Sequence, residues 1–267
     1  TAENAAKLVT LESIIASANM SFYAVFIKES VYDATSDLKW FSFTNVPWEH
    51  PITGEIKQGL RVSPASGRIL SGKITIPTEV NGQPVITIGG FMGQNVTHVF
   101  WLGTPHLLAF AENAFTSVMS LKYCEFPSSV IHVGQSAFNG CENLEFFDLA
   151  ETCPNLQYID SNCFNGCFYS ATGGLTLNIP ASVQYIGFMS FSYQRKIGSG
   201  GNVYSQVNLG SPSAPSQLTS IGDGENFGLN SGRSMGNFTA YGITDENLKN
   251  KITTYWLGNF SGNKSWN

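Results

Sequence analysis

Residues Leu121–Cys141 read LKYCEFPSSVIHVGQSAFNGC. A short strand of alternating apolar residues ends at Phe126–Pro127 and a turn follows. Val133–Gly134 then makes a second apolar touch, and Ala137–Phe138 runs into Asn139–Gly140–Cys141. The same order recurs on both sides. Upstream, Ile74–Pro77 leads to Ile88–Gly89 and Phe91; downstream, Leu144–Leu149 leads to Ile159 and then to CFNGC at Cys163–Cys167. Leu177–Pro180 leads to Ile186–Gly187 and Phe191, and Val207–Leu209 to Ile221–Gly222 and Phe227. Aligned on the closing aromatic, Phe91, Phe115, Phe138, Phe164, Phe191 and Phe227 are separated by 24, 23, 26, 27 and 36 residues. One such unit is one turn of a solenoid, and steps of this size lie in or near the range of leucine-rich repeats, with loop insertions in the longer units. Those insertions fall at Thr152–Asn155, Phe168–Gly174 and Gly198–Ser216.

The period assigns the inward positions. In the quoted unit Leu121, Cys124 and Phe126 face in from the strand, and Val130, Val133, Ala137, Phe138 and Cys141 close the loop around them. Burying one such side chain is worth about 1.5–3 kcal/mol, which is small against the entropy of ordering a whole unit. A unit therefore stands only by stacking on its neighbours, and the ends of the array need caps. Ala5, Leu8, Leu11, Ile15 and Ala18 recur at helical spacing and predict an amphipathic helix over Ala2–Met20. Strands follow at Phe22–Ile27, Lys39–Thr44 and Leu60–Ser63, so residues 1–70 read as an N-terminal capping region, with a small independent domain as the alternative. The repeats occupy 71–241. In 242–267, Thr244 as N-cap, the acidic Asp245 and Glu246, and Leu248, Ile252, Tyr255 and Trp256 predict a C-terminal capping helix with Lys249 and Lys251 on its wet side.

Charged residues make up 12 % of the chain, about half the usual ~25 %, so its surface is one of neutral polar groups. The net charge of -5 and the lack of a basic stripe argue against nucleic acid as a partner. No apolar run approaches the ~18 residues of a membrane span. The chain starts at Thr1, as expected of a processed or trimmed sequence.

The recurring order of strand, Pro, Ile-Gly, Ala-Phe and Asn-Gly-Cys resembles the BspA-like leucine-rich repeat over about Ser71 to Tyr241. It departs from that pattern at Trp101, where an aliphatic strand end is usual, and at Ser190–Phe191 and Asn226–Phe227, where Ala-Phe is usual. The resemblance implies a leucine-rich-repeat solenoid, mainly β with short irregular or helical convex segments and helical elements at both ends. It also implies a non-enzymatic module of a bacterial surface or secreted protein, adhering to host proteins, other bacteria or extracellular polymers, with no cofactor. A structural spacer within a larger surface protein is the alternative.

If the strands of such a solenoid align in one sheet, alternate residues point outward. One outward row then holds Thr75, Phe100, Glu125, Asp148, Asn178, Asn208 and Thr239, and a neighbouring row holds His98, Tyr123, Phe146 and Thr176, with Lys122 and Glu145 beside them. Flat aromatic area beside carboxylates suits a glycan or a peptide. The candidate binding residues are accordingly His98, Phe100, Tyr123, Glu125, Phe146 and Asp148, set against the alternative of plain cross-strand packing. Alanine at Tyr123 and Phe146 is expected to spare the fold and abolish ligand retention.

The five cysteines, Cys124, Cys141, Cys153, Cys163 and Cys167, read chiefly as small core side chains, because Cys141 and Cys167 share a repeat position and Cys163 takes the Ala site. A disulfide remains open, and the odd count leaves at least one thiol over. Their spacing is wrong for zinc, and Asp223–Gly224–Glu225 fills a repeat turn without the further oxygen ligands of a calcium loop. His50, His98, His106 and His132 fall at unrelated repeat positions, and no strained Gly-x-Ser-x-Gly turn is present, so no catalytic residue is assigned. The five Asn-x-Ser/Thr triplets, at Asn19, Asn95, Asn237, Asn259 and Asn263, are expected by chance in an Asn- and Ser-rich chain.

Overall fold

Between successive repeat strands the chain makes a second set of mostly shorter strands, so two kinds of parallel ladder run along the coil. The computed structural model describes residues 38–145, 147–168, 174–192, 204–224, 236–257 and 260–267. The expected helix at Ala2–Met20, the strand at Phe22–Ile27 and the aromatic Phe227 lie outside them. In chain order the strands are β1 (Phe41–Glu49), β2 (Ile56–Pro64), β3 (Ser71–Pro77), β4 (Glu79–Val80), β5 (Gln83–Ile88), β6 (Asn95–Leu102), β7 (Ala109–Phe110) and β8 (Tyr123–Cys124). They continue as β9 (His132–Val133), β10 (Tyr158–Ile159), β11 (Leu175–Ile179), β12 (Tyr185–Ile186), β13 (Tyr204–Leu209), β14 (Ser220–Ile221), β15 (Asn237–Ala240) and β16 (Lys264–Trp266). Two short helices, α1 (Leu149–Thr152) and α2 (Glu246–Tyr255), interrupt the pattern.

The expectation of one sheet is corrected here. The repeat strands form two sheets, β3-β6-β8 and β11-β13-β15-β16, which are separated where α1 takes the place of a strand. The second apolar touch of each unit is itself a rung: β2, β5, β7, β9, β10, β12 and β14 pair in parallel along another flank. That ladder starts at β2, upstream of Ser71, and its outer edge is closed by β1, antiparallel to β2. Trp48 near the end of β1 packs on Ile86 and Ala109.

Between the ladders lies a single column of apolar side chains. Leu121, Cys124, Phe126, Val130, Val133, Ala137, Phe138 and Cys141 are all buried, as the period predicts. The closing aromatics stack into a spine. Phe91–Phe115, Phe115–Phe138, Phe138–Phe164 and Phe164–Phe191 have ring centroids 4.8, 5.3, 5.5 and 5.6 Å apart, the last three pairs within 14° of parallel. Such pairs add about 0.5–1.5 kcal/mol each beyond area burial, and they can form only if each coil places its ring over the previous one.

Two backbone constraints explain the glycines of the repeat. Gly140 and Gly166, two residues after a spine phenylalanine, have φ of 73° and 72°, where a side chain is strained. Gly134 lies so close to the preceding coil that an added Cβ would fall 2.8 Å from the Phe110 carbonyl oxygen, and one at Gly187 or Gly222 would run into the backbone N of Ser161 or Phe188. At the C-terminal end α2 lays Leu248 and Ile252 into the core. Its N-cap is Asp245 rather than the expected Thr244: the Asp245 carboxylate accepts from the Leu248 N–H at 2.8 Å. Lys249 and Lys251 pair outward with Glu246 and Asp223. The chain returns after α2 to add β16 to the last sheet, a strand absent from the sequence reading.

Candidate ligand-binding face

Strands β3, β6 and β8 place the sequence-predicted residues by register. Thr75 pairs with Phe100, Lys73 with His98, and His98 with Tyr123, so Lys73 heads the row that carries the aromatics. Inward Ile74, Val99 and Cys124 anchor these strands, and alternation turns His98, Phe100 and Tyr123 outward. The three rings form one patch: centroids are 6.1 Å apart for His98–Phe100, 5.4 Å for Phe100–Tyr123 and 6.3 Å for His98–Tyr123, with planes within 35° of each other. Tyr123 is 39 % exposed, so the patch is open at that ring; His98 and Phe100 are half-buried.

The electrostatics of the patch follow from its neighbours. His98 is held below its ordinary value by burial and by Lys73 and Lys122, against the opposing pull of Glu145. Its ring is neutral at pH 7, and Nδ1 lies 3.0 Å from the Thr97 hydroxyl. Burial and the Glu125 carboxylate push the Tyr123 phenol up, so it stays a hydroxyl donor. Lys73 and Lys122 are exposed, with no carboxylate within 4 Å among the described residues.

The two predicted carboxylates are held by the fold. Glu125 Oε2 accepts from the Trp101 N–H at 3.3 Å, and its carbonyl accepts from the Trp101 indole N–H at 3.0 Å, which accounts for a buried tryptophan at that strand end. Asp148 caps α1: Oδ1 accepts from the N–H groups of Ala150 and Glu151 at 2.9 and 3.4 Å. Its Oδ2 accepts from Asn178 Nδ2 at 2.7 Å. Phe146 lies outside the described residues.

Beyond α1 the outward face changes character. Asn208 Nδ2 donates to Asn178 Oδ1 at 2.7 Å, Gln206 Nε2 to Asn208 Oδ1 at 2.7 Å and to Thr239 Oγ1 at 3.1 Å, and Ser265 Oγ to Thr239 Oγ1 at 3.1 Å. The register agrees with the row predicted from sequence, pairing Asn178 with Asn208 and Asn208 with Thr239, while Thr176 pairs with Gln206. These groups satisfy one another. The face is thus an aromatic half, open to solvent at Tyr123, and a hydrogen-bonded half, divided at Asp148.

The shorter ladder carries a polar cluster that the sequence did not announce. Tyr158 and Tyr185 stack at 4.4 Å, His132 meets Tyr158 edge-on at 5.3 Å, and Asp160 Oδ2 lies 4.0 Å from His132 Nε2. Asp160 stands where Gly134, Gly187 and Gly222 stand in other coils. The only sequence signal was that break in the Ile-Gly pattern.

All five cysteines are buried free thiols. Three donate to backbone carbonyls of the preceding coil: Cys141 to Phe115 at 3.1 Å, Cys163 to Val133 at 3.1 Å and Cys167 to Phe138 at 3.0 Å. Among the described residues no group of three or more His, Cys, Asp or Glu side chains is placed to hold a metal ion, and no helix is long and apolar enough to cross a membrane.

Stacked coils, a phenylalanine spine and an outward strand face define a leucine-rich-repeat solenoid. The chain belongs to the BspA type leucine-rich repeat family, whose model matches residues 73–198 and 108–224 in six copies. The solved structures similar to it include a leucine-rich repeat protein of T. pallidum, 18 % identical, covering 84 % of this chain and 95 % of that one with a TM-score of 0.35. Another is a leucine-rich repeat protein of Bacteroides ovatus, 17 % identical, covering 82 % of this chain and 66 % of that one with a TM-score of 0.39. No curated protein matches the chain.

Proposed function

We propose that this protein is a non-enzymatic binding or adhesion module, acting at the cell surface or after secretion, that contacts an extracellular protein or polysaccharide through the aromatic half of its strand face. The contiguous patch of His98, Phe100 and Tyr123 carries this reading, because large apolar rings kept partly in water cost solubility and serve recognition. Membership of a family of surface and secreted repeat proteins supports the location. Glu125 borders the patch at Tyr123, and the fold occupies its carboxylate and that of Asp148, so the two act by holding the strands in place.

The test is retention on immobilised extracellular-matrix proteins and polysaccharides. The protein is expected to give a saturable signal on one class, reduced about tenfold or more by the double variant His98→Ala/Tyr123→Ala, which has an unchanged melting temperature. Retention that survives in the folded variant refutes the reading. A spacer role is the second reading, favoured by the other half of the face, where amides and hydroxyls are spent on each other. It predicts no saturable signal on any surface.

A further inference from the structure

We propose that the aromatic patch takes an acidic polysaccharide, a polymer of hexuronate units, with a pyranose face against Phe100 and Tyr123 and its carboxylates against Lys73 and Lys122. This rests on the reading of that half of the face as a binding surface, and it names the chemistry of the occupant.

Three observations carry it. First, the rings are contiguous, at 5.4–6.3 Å spacing with planes 14–35° apart, and a pyranose presents a flat C–H face that packs on such rings as a base or another ring does. Second, the cations are in place and unspent. Lys73 pairs by register with His98, Lys122 precedes Tyr123, and neither has a carboxylate within 4 Å among the described residues. Both lysines also act on His98, so their charge converges on the patch, opposed by Glu145 at His98 and by Glu125 at Tyr123. Such a site runs against the chain's net charge of -5, so it selects an anion by local contact and not by long-range attraction.

Third, the surroundings disfavour an acidic peptide. Strand β6 is paired on both sides, by β3 and β8, so a peptide could add a strand only at the outer edge of β3 or β8 and not alongside His98 and Phe100. The apolar crevice lined by Phe147, Leu149, Phe164, Phe168, Leu177 and Phe191 is walled by core side chains, so it offers the patch no pocket for a peptide anchor. An open patch of rings with flanking point charges fits a chain of repeated flat units better than a peptide that needs an anchor.

Affinity electrophoresis of the full chain through gels containing polygalacturonate tests the proposal, with methyl-esterified polygalacturonate, neutral dextran and poly-glutamate in parallel. Retardation by polygalacturonate is expected, about tenfold weaker on esterification, which keeps the rings and removes the charge. Lys73→Gln/Lys122→Gln is expected to abolish that difference, and Tyr123→Ala to weaken binding to the acid and the ester alike. No retardation by polygalacturonate overturns the proposal, as does equal retardation by the ester or by poly-glutamate. A protein ligand lost in His98→Ala/Tyr123→Ala would leave the binding face standing while the hexuronate proposal falls.

Discussion

His132 is neutral in the folded protein, and replacing it tests how strongly the shorter ladder excludes charge. Burial lowers its pKa from 6.5 to about 4; Asp160, 4.0 Å away, opposes this, and His50 adds to it. The sign follows from linkage. Below about pH 6.5 the unfolded chain takes up a proton that the folded chain refuses, so stability is full above that pH and falls as the pH drops toward about 4. At about pH 4.5 the loss from this one group comes to roughly 2–3 kcal/mol, a large part of an ordinary domain's stability. His132→Leu removes the proton acceptor and the buried Nε2 that has no hydrogen-bond partner, so at about pH 7.5 the variant should be as stable as the parent or slightly more. Urea unfolding of both proteins at about pH 7.5 and about pH 4.5 gives the two stability differences directly. The variant is expected to gain roughly 2–3 kcal/mol on the parent between those conditions. A stability difference independent of pH would show that His132 takes its proton in the folded state, paired with Asp160, and would refute the argument.

Phe138→Ala removes the middle ring of the spine, in contact with Phe110, Phe115, Phe126 and Phe164, and should cost about 3–5 kcal/mol in chemical unfolding. In a nearest-neighbour array it should also split the transition into two steps. Asp148→Ala deletes the cap of α1 and leaves Asn178 Nδ2 without its acceptor, so a loss of about 2 kcal/mol is expected by the same assay. Burial pushes the thiols of Cys141 and Cys153 up to about 12, and the other three rise as well. The folded protein should therefore resist iodoacetamide near pH 8, whereas the denatured, unreduced protein should titrate five thiols.

The inward half of each coil was legible in the sequence because a two-residue alternation and a closing aromatic are both set by burial, and burial leaves a pattern in residue type. Leu121 through Cys141 shows this at every position assigned. The shorter ladder was not legible: rungs such as His132–Val133 and Tyr158–Ile159 are two residues long, too short for alternation to register. The cap of α2 was missed by one residue because Thr244 and Asp245 are both capping types, and only the hydrogen bond to Leu248 distinguishes them. The candidate site was half legible. Register brought His98, Phe100 and Tyr123 together as predicted, and Lys73 could have been found by extending the row one strand upstream. Asp148 shares that row by spacing, yet its coil leaves the sheet for α1, and nothing in its residue type announces the departure.

The row from Asn208 back to Asp148 also has a direction. Asn208 and Asn178 each donate an amide N–H to the coil before, Asn178 accepting from the coil beyond and Asn208 from Gln206 of its own strand, and the series ends at a carboxylate that accepts from Asn178 and from the N–H groups of its own helix and has nothing to give. Coils bearing an amide at this position are interchangeable links, and one could be duplicated without leaving a donor idle. A carboxylate there is a terminator. A further coil of this kind therefore fits between Asp148 and Asn208, while the aromatic half on the other side of Asp148 takes no part in the relay.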